Sequence, residues 1–276
     1  MNRRRFLKTL GLTGVGIVAA TSLVAAKDTL AFETTRLSVK LPSLTAPLKL
    51  VQLTDLHYGH FVTADWVERW VKAANAERPD LIVVTGDIID RAVPAAELET
   101  IADLLGQLEA KLGVYAVLGN HDYFYQSENV SVRGLQRRLE ARGIRVLVNE
   151  NERVRDDLWL GGIDDLWLGE PNLEQTLRGL PSSAASVLLS HNPDILATVP
   201  NSVGLTLSGH THGGQVRVPG LRTLYNVSNY GERFQRGWVK GFQGATGYVS
   251  RGLGVGGLPL RMFCSAELVV LELQTA

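Results

Sequence analysis

Five of the chain's six histidines fall within four short polar motifs: Asp55-Leu56-His57, Gly119-Asn120-His121-Asp122, Ser190-His191-Asn192 and Gly209-His210-Thr211-His212. A fifth motif, Gly86-Asp87-Ile88-Ile89-Asp90, adds carboxylates. Imidazole, carboxylate and amide oxygen, with no thiolate among them, make a donor set for a borderline divalent cation such as Mn, Fe, Zn or Co. A single Asp-x-His or Asn-His would read as a turn former beside a core histidine. Several such clusters in chain order, using nearly every histidine, point instead to a metal centre.

The elements that must position them are legible as well. Each motif follows an apolar run, at Leu48–Leu53, Leu81–Thr85, Val114–Leu118, Val187–Leu189 and Val203–Leu207, and each run predicts a buried strand stopped by polar or glycine residues. In an open α/β sheet, ligand groups collect just beyond the carboxyl ends of the strands, where all five motifs sit. Ala64–Glu77 and Ala95–Leu112 predict helices, the second beginning after Pro94. Arg36–Leu41 alternates polar and apolar residues and predicts an edge strand ahead of the first motif strand.

After Gly143 the pattern turns strand-rich, with Ile144–Val148, Arg153–Arg155 and Leu158–Ile163. Asn172–Leu180 and Pro193–Val199 read as short helices, and Gln215–Val218, Ala245–Ser250 and Leu268–Leu273 as a C-terminal β element. No repeat of fixed period is visible.

The order Asp-x-His, Gly-Asp-x-x-Asp, Gly-Asn-His-Asp, His, Gly-His-x-His resembles the calcineurin-like metallophosphoesterase superfamily over about residues 48–273. Within it, Leu53-Thr54-Asp55-Leu56-His57-Tyr58-Gly59, Gly209-His210-Thr211-His212-Gly213-Gly214-Gln215-Val216 and Val249-Ser250-Arg251-Gly252-Leu253-Gly254 are similar to exported bacterial phosphodiesterases of the YaeI and YkuE type. The resemblance implies an α/β fold, a four-layer α/β/β/α sandwich of two mixed β-sheets flanked by helices.

It also implies two divalent metal ions. Asp55, His57 and His212 would hold the first, Asn120, His191 and His210 the second, and Asp87 would bridge them. Two cations about 3.5–4 Å apart clamp a phosphate oxygen and acidify a bridging water for in-line attack on phosphorus. His121 and Asp90 resemble the family's catalytic pair, in which the imidazole protonates the leaving oxygen and the carboxylate keeps it charged. The substitution pattern departs only at Cys264-Ser265-Ala266-Glu267, where relatives commonly carry a proline before the glutamate.

Two other features carry no chemistry on this reading. Gly252-Leu253-Gly254-Val255-Gly256-Gly257 matches a dinucleotide-binding pattern, but Leu258-Pro259-Leu260 follows where that motif needs a helix, so a glycine-rich loop near the metals is expected. Cys264 stands alone, which excludes an intrachain disulfide, and reads as a small buried residue.

Asn2-Arg3-Arg4-Arg5-Phe6-Leu7-Lys8, followed by the mildly apolar Leu10–Ala26, resembles a twin-arginine export signal. The expected organisation is a signal peptide over residues 1–26, an N-terminal extension with the edge strand over 27–47, and a metallophosphoesterase domain over 48–276. The destination would be the periplasm, the cell wall or the outer face of the cytoplasmic membrane, with the Tat translocase and the membrane surface as partners. The full chain balances 28 basic against 28 acidic residues. Four of the basic residues lie in 1–26, so the remainder carries 24 against 28, a formal net of −4. That is no basic field for nucleic acid, and none is expected as a partner.

Pro219–Gly244 follows the Gly-His-Thr-His motif and mixes aromatic with basic residues. Arg222, Arg233, Phe234, Arg236 and Trp238 are therefore candidate substrate contacts, with a solvated hairpin as the other reading. The function implied is hydrolysis of a phosphoester, mono- or diester, of the cell envelope or lipid-linked. A metal-dependent scaffold without turnover and a nuclease are the alternatives.

Overall fold

Leu81–Thr85 shows why the central strands read as continuous apolar runs. Leu81 and Val83 point into one apolar layer while Ile82 and Val84 point into another, so every position is buried. The computed structural model describes residues 29–90, 93–124, 131–220, 223 and 226–276. Among these, the strands form two mixed sheets of 6 strands each.

The first sheet runs, in spatial order, β1 (Phe32–Leu41), β12 (Ala266–Thr275), β2 (Leu48–Leu53), β3 (Leu81–Thr85), β4 (Val114–Val117) and β5 (Ile144–Val146). Strands β2 to β5 are parallel, and β12 pairs antiparallel with β2 and parallel with β1. The second sheet runs β10 (Gly237–Lys240), β11 (Thr246–Val249), β9 (Leu205–Ser208), β8 (Ala185–Leu189), β7 (Leu158–Gly162) and β6 (Glu150–Arg155). Here β11, β9, β8 and β7 are parallel, with antiparallel β10 and β6 on the edges.

The sheets meet through one apolar layer that includes Leu50, Leu81, Val83 and Leu271 from the first and Leu160, Val187, Leu205 and Leu207 from the second. On the first sheet's other face lie α1 (Ala64–Ala76), α2 (Ala95–Leu105) and α4 (Val132–Glu140), while α3 is the single turn Asn120–Tyr123. Helix α1 buries Val67, Trp70, Val71 and Ala74, and α2 buries Leu98, Ile101, Ala102 and Leu105, the 3.6-residue stripe of an amphipathic helix. The second sheet is covered by a smaller cluster with Leu196, Val199 and Phe234, and by α5 (Leu173–Leu177). Helix, sheet, sheet and helix form the expected sandwich.

Differences from the sequence reading have local causes. The edge strand is β1, longer than Arg36–Leu41, and β12 lies between it and β2. Helix α2 ends at Leu105, with Gly106 N bonded to Ala102 O, rather than continuing to Leu112. Gln215–Val218 is not a strand: Gln215 sits at φ 46° with its side chain bonded to Gly256 and Leu258, and only Val216 makes a bridge, to Met262. Strand β10 lies inside the segment read as a recognition loop, and α4 was not foreseen.

Phe234 is corrected outright. Its ring is 0% exposed and packs in the cluster beneath the second sheet, so it cannot meet a substrate there. Phe234→Ala is expected to cost about 3–5 kcal/mol of stability, measured by thermal or denaturant unfolding. An unfolding midpoint equal to that of the unaltered chain would overturn this assignment.

Candidate metal centre

Four of the five motifs form turns that interlock through the backbone. Asp55 N donates to Gly86 O at 3.0 Å, His57 N to Asp87 O at 2.9 Å and Gly209 N to His191 O at 3.0 Å. Asp87 Oδ1 accepts from His121 N at 2.8 Å, which ties in the fifth. Close approach requires glycine at Gly86, with φ 85° and a Cβ that would lie 2.7 Å from Gly119 N. Half of the non-glycine residues with positive φ among those described are candidate ligands: Asp55 (53°), His57 (49°), Asp87 (50°), His210 (70°) and His212 (50°). Left-handed backbone at aspartate and histidine is strained, and strain held this way clusters at functional sites.

These turns gather the donors into two buried groups, Asp55 with His57 and His212, and Asp87 with His191 and His210, with donor atoms within 4.8 Å of one another in each. His57 Nε2 and His212 Nε2 are 3.0 Å apart, and His212 Nε2 is 3.5 Å from Asp55 Oδ1. In the other group His191 Nε2 is 3.2 Å from both Asp87 Oδ2 and His210 Nδ1. Asp87 Oδ2 also lies 3.4 Å from His57 Nε2, so one carboxylate oxygen faces both groups. Asn120 Oδ1 is buried without a hydrogen-bond partner. A third group joins His57, Asp90 and His121, in which His121 Nδ1 is 2.9 Å from Asp90 Oδ1.

The electrostatics call for positive charge at Asp87. Burial works to raise its carboxyl, yet the imidazoles of His191, His57 and His121 hold it well below the usual carboxylate range. Burial works against charge on His191, and Asp87 outweighs it, pushing His191 up to about 10. His210 moves the other way, down to about 3, through burial and the neighbouring charge of His191. Its lone pair is therefore free of a proton at neutral pH, as a ligand nitrogen must be. An all-nitrogen-and-oxygen donor set with an unpartnered amide oxygen fits divalent cations of the borderline class.

A family model described as Calcineurin-like phosphoesterase matches residues 48–214. The chain is 33% identical, over 100% of its own length and 98% of the other's, to the uncharacterized metallophosphoesterase YkuE of Bacillus subtilis (strain 168). The chain belongs to the calcineurin-like phosphoesterase family. An uncharacterized metallophosphoesterase of Aquifex aeolicus is 33% identical over 85% of this chain and 88% of that protein. The zebrafish "Transmembrane protein with metallophosphoesterase domain" (Danio rerio) is 33% identical over 86% of this chain, which spans 55% of its length. No helix among the described residues of this phosphoesterase is long and apolar enough to cross a membrane.

The substrate candidates fare differently from the metal motifs. Arg222 lies outside the described residues, as does the leader. Arg233 stacks over Phe242 at 4.1 Å and donates to Lys240 O. Trp238 lies against Tyr248 and lines a recess of ≈ 360 Å³ with Ser38 and Val39, at the paired edges of the two sheets. These contacts lead away from the histidines, because β10 carries the segment along the sheet edge. Arg236 is exposed beside Gln235, whose carbonyl accepts from Thr211 Oγ1 between the two motif histidines.

Other residues at the centre went unread. Asp122, the last residue of the Gly-Asn-His-Asp motif, accepts from Ile88, Ile89 and Gly119 N, and burial together with Asp87 pushes it up to about 7. It ties two motif turns together. Arg261 is buried and donates to the carbonyls of Arg251, Gly252 and Gly254, with Nη2 3.3 Å from His212 Nδ1. Its role depends on a distant fold contact, which no local pattern records. The Gly252–Gly257 loop lies on the centre as expected, with Leu253 N and Gly254 N bonded to Thr54 O and Asp55 O. Cys264 is buried, and its thiol donates to His212 O.

His121 gives the sharpest electrostatic test. Burial works to lower it, but the hydrogen bond to Asp90 and the charge of Asp87 raise it above the ordinary imidazole value. The stability contributed by the charged form is present below about pH 6.5 and lost as pH rises through the raised value. In metal-free protein, NMR titration is expected to place His121 above about 6.5, with Asp90→Asn bringing it down. An unmoved titration would break the proposed link.

Proposed function

We propose that Asp55, His57 and His212 hold one divalent cation, Asn120, His191 and His210 a second, and Asp87 both, and that the chain hydrolyses phosphoesters with this pair. The observation that carries the reading is Asp87 Oδ2, 3.4 Å from His57 Nε2 and 3.2 Å from His191 Nε2, each in a different donor group. Bound there, two divalent cations, manganese among the candidates, supply Lewis acidity and a nucleophile at neutral pH.

The chain's own residues orient and protonate. His191 Nδ1 donates to Thr85 O at 2.9 Å, which leaves its Nε2 to offer a lone pair. Asp55 is fixed by His210 N, 2.9 Å from Oδ1, and Asp87 by His121 N. Asp90 takes the Nδ1 proton of His121 in a hydrogen bond, so that Nε2 carries the proton passed to the leaving oxygen. The substrate on this reading is a cell-envelope or lipid-linked phosphodiester or phosphomonoester, met after twin-arginine export. The Arg3-Arg4-Arg5-Phe6-Leu7-Lys8 run supports export.

Turnover of bis-p-nitrophenyl phosphate with added Mn²⁺ tests the activity, and Asp87→Asn tests the pair. Losing the shared carboxylate removes one bond from each cation and raises their repulsion, so elemental analysis is expected to find both occupancies reduced. Two full equivalents in that variant would sink the assignment. For export, replacing Arg3 and Arg4 by Lys is expected to strand folded enzyme in the cytosol, followed by cell fractionation. Undiminished export would remove that part of the reading.

A further inference from the structure

Two half-exposed aromatic rings stand edge-on to histidines of the centre. Trp167, 45% exposed, meets the buried His210 ring at 4.3 Å and 88°. Phe124, 42% exposed, meets His121 at 4.9 Å and 87°. Each ring covers one side of a histidine and turns another surface to solvent. A single exposed aromatic needs no explanation, but neither of these is loosely held.

Asp165 is buried, and its Oδ2 accepts from Trp167 N at 2.9 Å and Leu168 N at 2.7 Å, which closes a tight turn beneath the indole. Its neighbour Asp164 accepts from Asp165 N and Glu170 N, closing the same loop from the other end. The Tyr123 hydroxyl donates to Asp164. Tyr123 lies between His121 and Phe124, so this bond fastens the loop that carries Phe124 to the loop that carries Trp167. Both rings thus stand on turns that this hydrogen bond joins, forming one rim beside the histidines.

We propose that Trp167 is a specificity-determining residue, its indole receiving a flat apolar group carried on the phosphoester, with Phe124 as the second ring of the same rim. The inference rests on the metal-pair reading above, since the phosphoryl group must be held at the donor clusters for its organic substituent to reach the rim. Rings that are already ordered lose little freedom on binding, so their contact energy goes into discrimination. Phosphoesters with aryl or other planar apolar substituents are then favoured over those with the smallest alkyl groups.

The test uses phenylphosphonate and methylphosphonate as competitive inhibitors of the metal-loaded enzyme, because they share the phosphonate and differ only in the organic group. The unaltered enzyme is expected to prefer phenylphosphonate by about three- to tenfold, the range of one aromatic pair. Trp167→Ala should bring that ratio close to one, while Trp167→Phe, which keeps a ring, should retain most of it. Equal inhibition of the unaltered enzyme, or a preference that survives Trp167→Ala, would overturn the proposal. If neither phosphonate inhibits, the metal-pair reading itself fails and takes this one with it.

Discussion

A buried carboxylate that must be balanced by positive charge governs the rest of this molecule. Asp87 is fully enclosed beside Asp55, and among the described residues the ion pairs of both are with histidines alone. Isolated anions in such a place are expensive, and a neutral imidazole offers no charge unless it takes a proton. The opposite shifts of His191 and His210 show how the protein divides the problem: one imidazole charges against Asp87 and its neighbour is left neutral. A divalent cation held by such a donor cluster would supply the missing positive charge.

Holding the donors there is costly in backbone terms, and the fold is arranged to bear it. Left-handed turns at Asp55, His57, Asp87 and His210 are tolerable because each is pinned by hydrogen bonds to another motif turn just beyond the end of a buried strand. The tie between the sheets runs through the same region. Gln52 on β2 donates to Thr85 Oγ1 on β3 and to Ser208 O on β9, so the strand ends that carry the motifs of both sheets are held in register by a buried amide. Asp122 and Arg261 act at a further remove, one bonding three backbone amides and the other three carbonyls around the metal turns. Metal binding and the packing of the two sheets are therefore parts of one structure, not a site added to a scaffold.

Family membership sets the chemistry, and this chain's own loops set what the chemistry can reach. The Gly252–Gly257 loop closes over the Asp55–His57 turn, and a Cβ at Gly256 would stand 3.0 Å from His212 Nε2, so backbone rather than side chain borders that side. On the His210 and His121 side the border is aromatic. A phosphoester approaching such a centre meets one wall of bare backbone and one of exposed rings.

The sequence by itself determined the donor motifs and the strands that precede them, because strand period, glycine turns and clustered imidazoles are local signals, while the two-sheet class followed from the family those motifs resemble. Leu48–Leu53 and Leu81–Thr85 match their strands end to end. It could not determine where Pro219–Gly244 would go. Aromatic and basic residues in that segment looked alike, yet Phe234 is core, Trp238 lies at the sheet edges and Arg233 stacks on Phe242, since burial depends on which surface a segment meets and not on its composition. For the same reason Trp167, Asp165 and Arg261 escape a reading of local pattern: Trp167 and Arg261 owe their places to histidines 43 and 49 positions away, and Asp165 to a turn that only the folded chain closes. Tertiary structure alone decided that one oxygen of Asp87 faces both histidine groups, because that alignment is the sum of two sheets, their shared core and the interlocked turns at their ends.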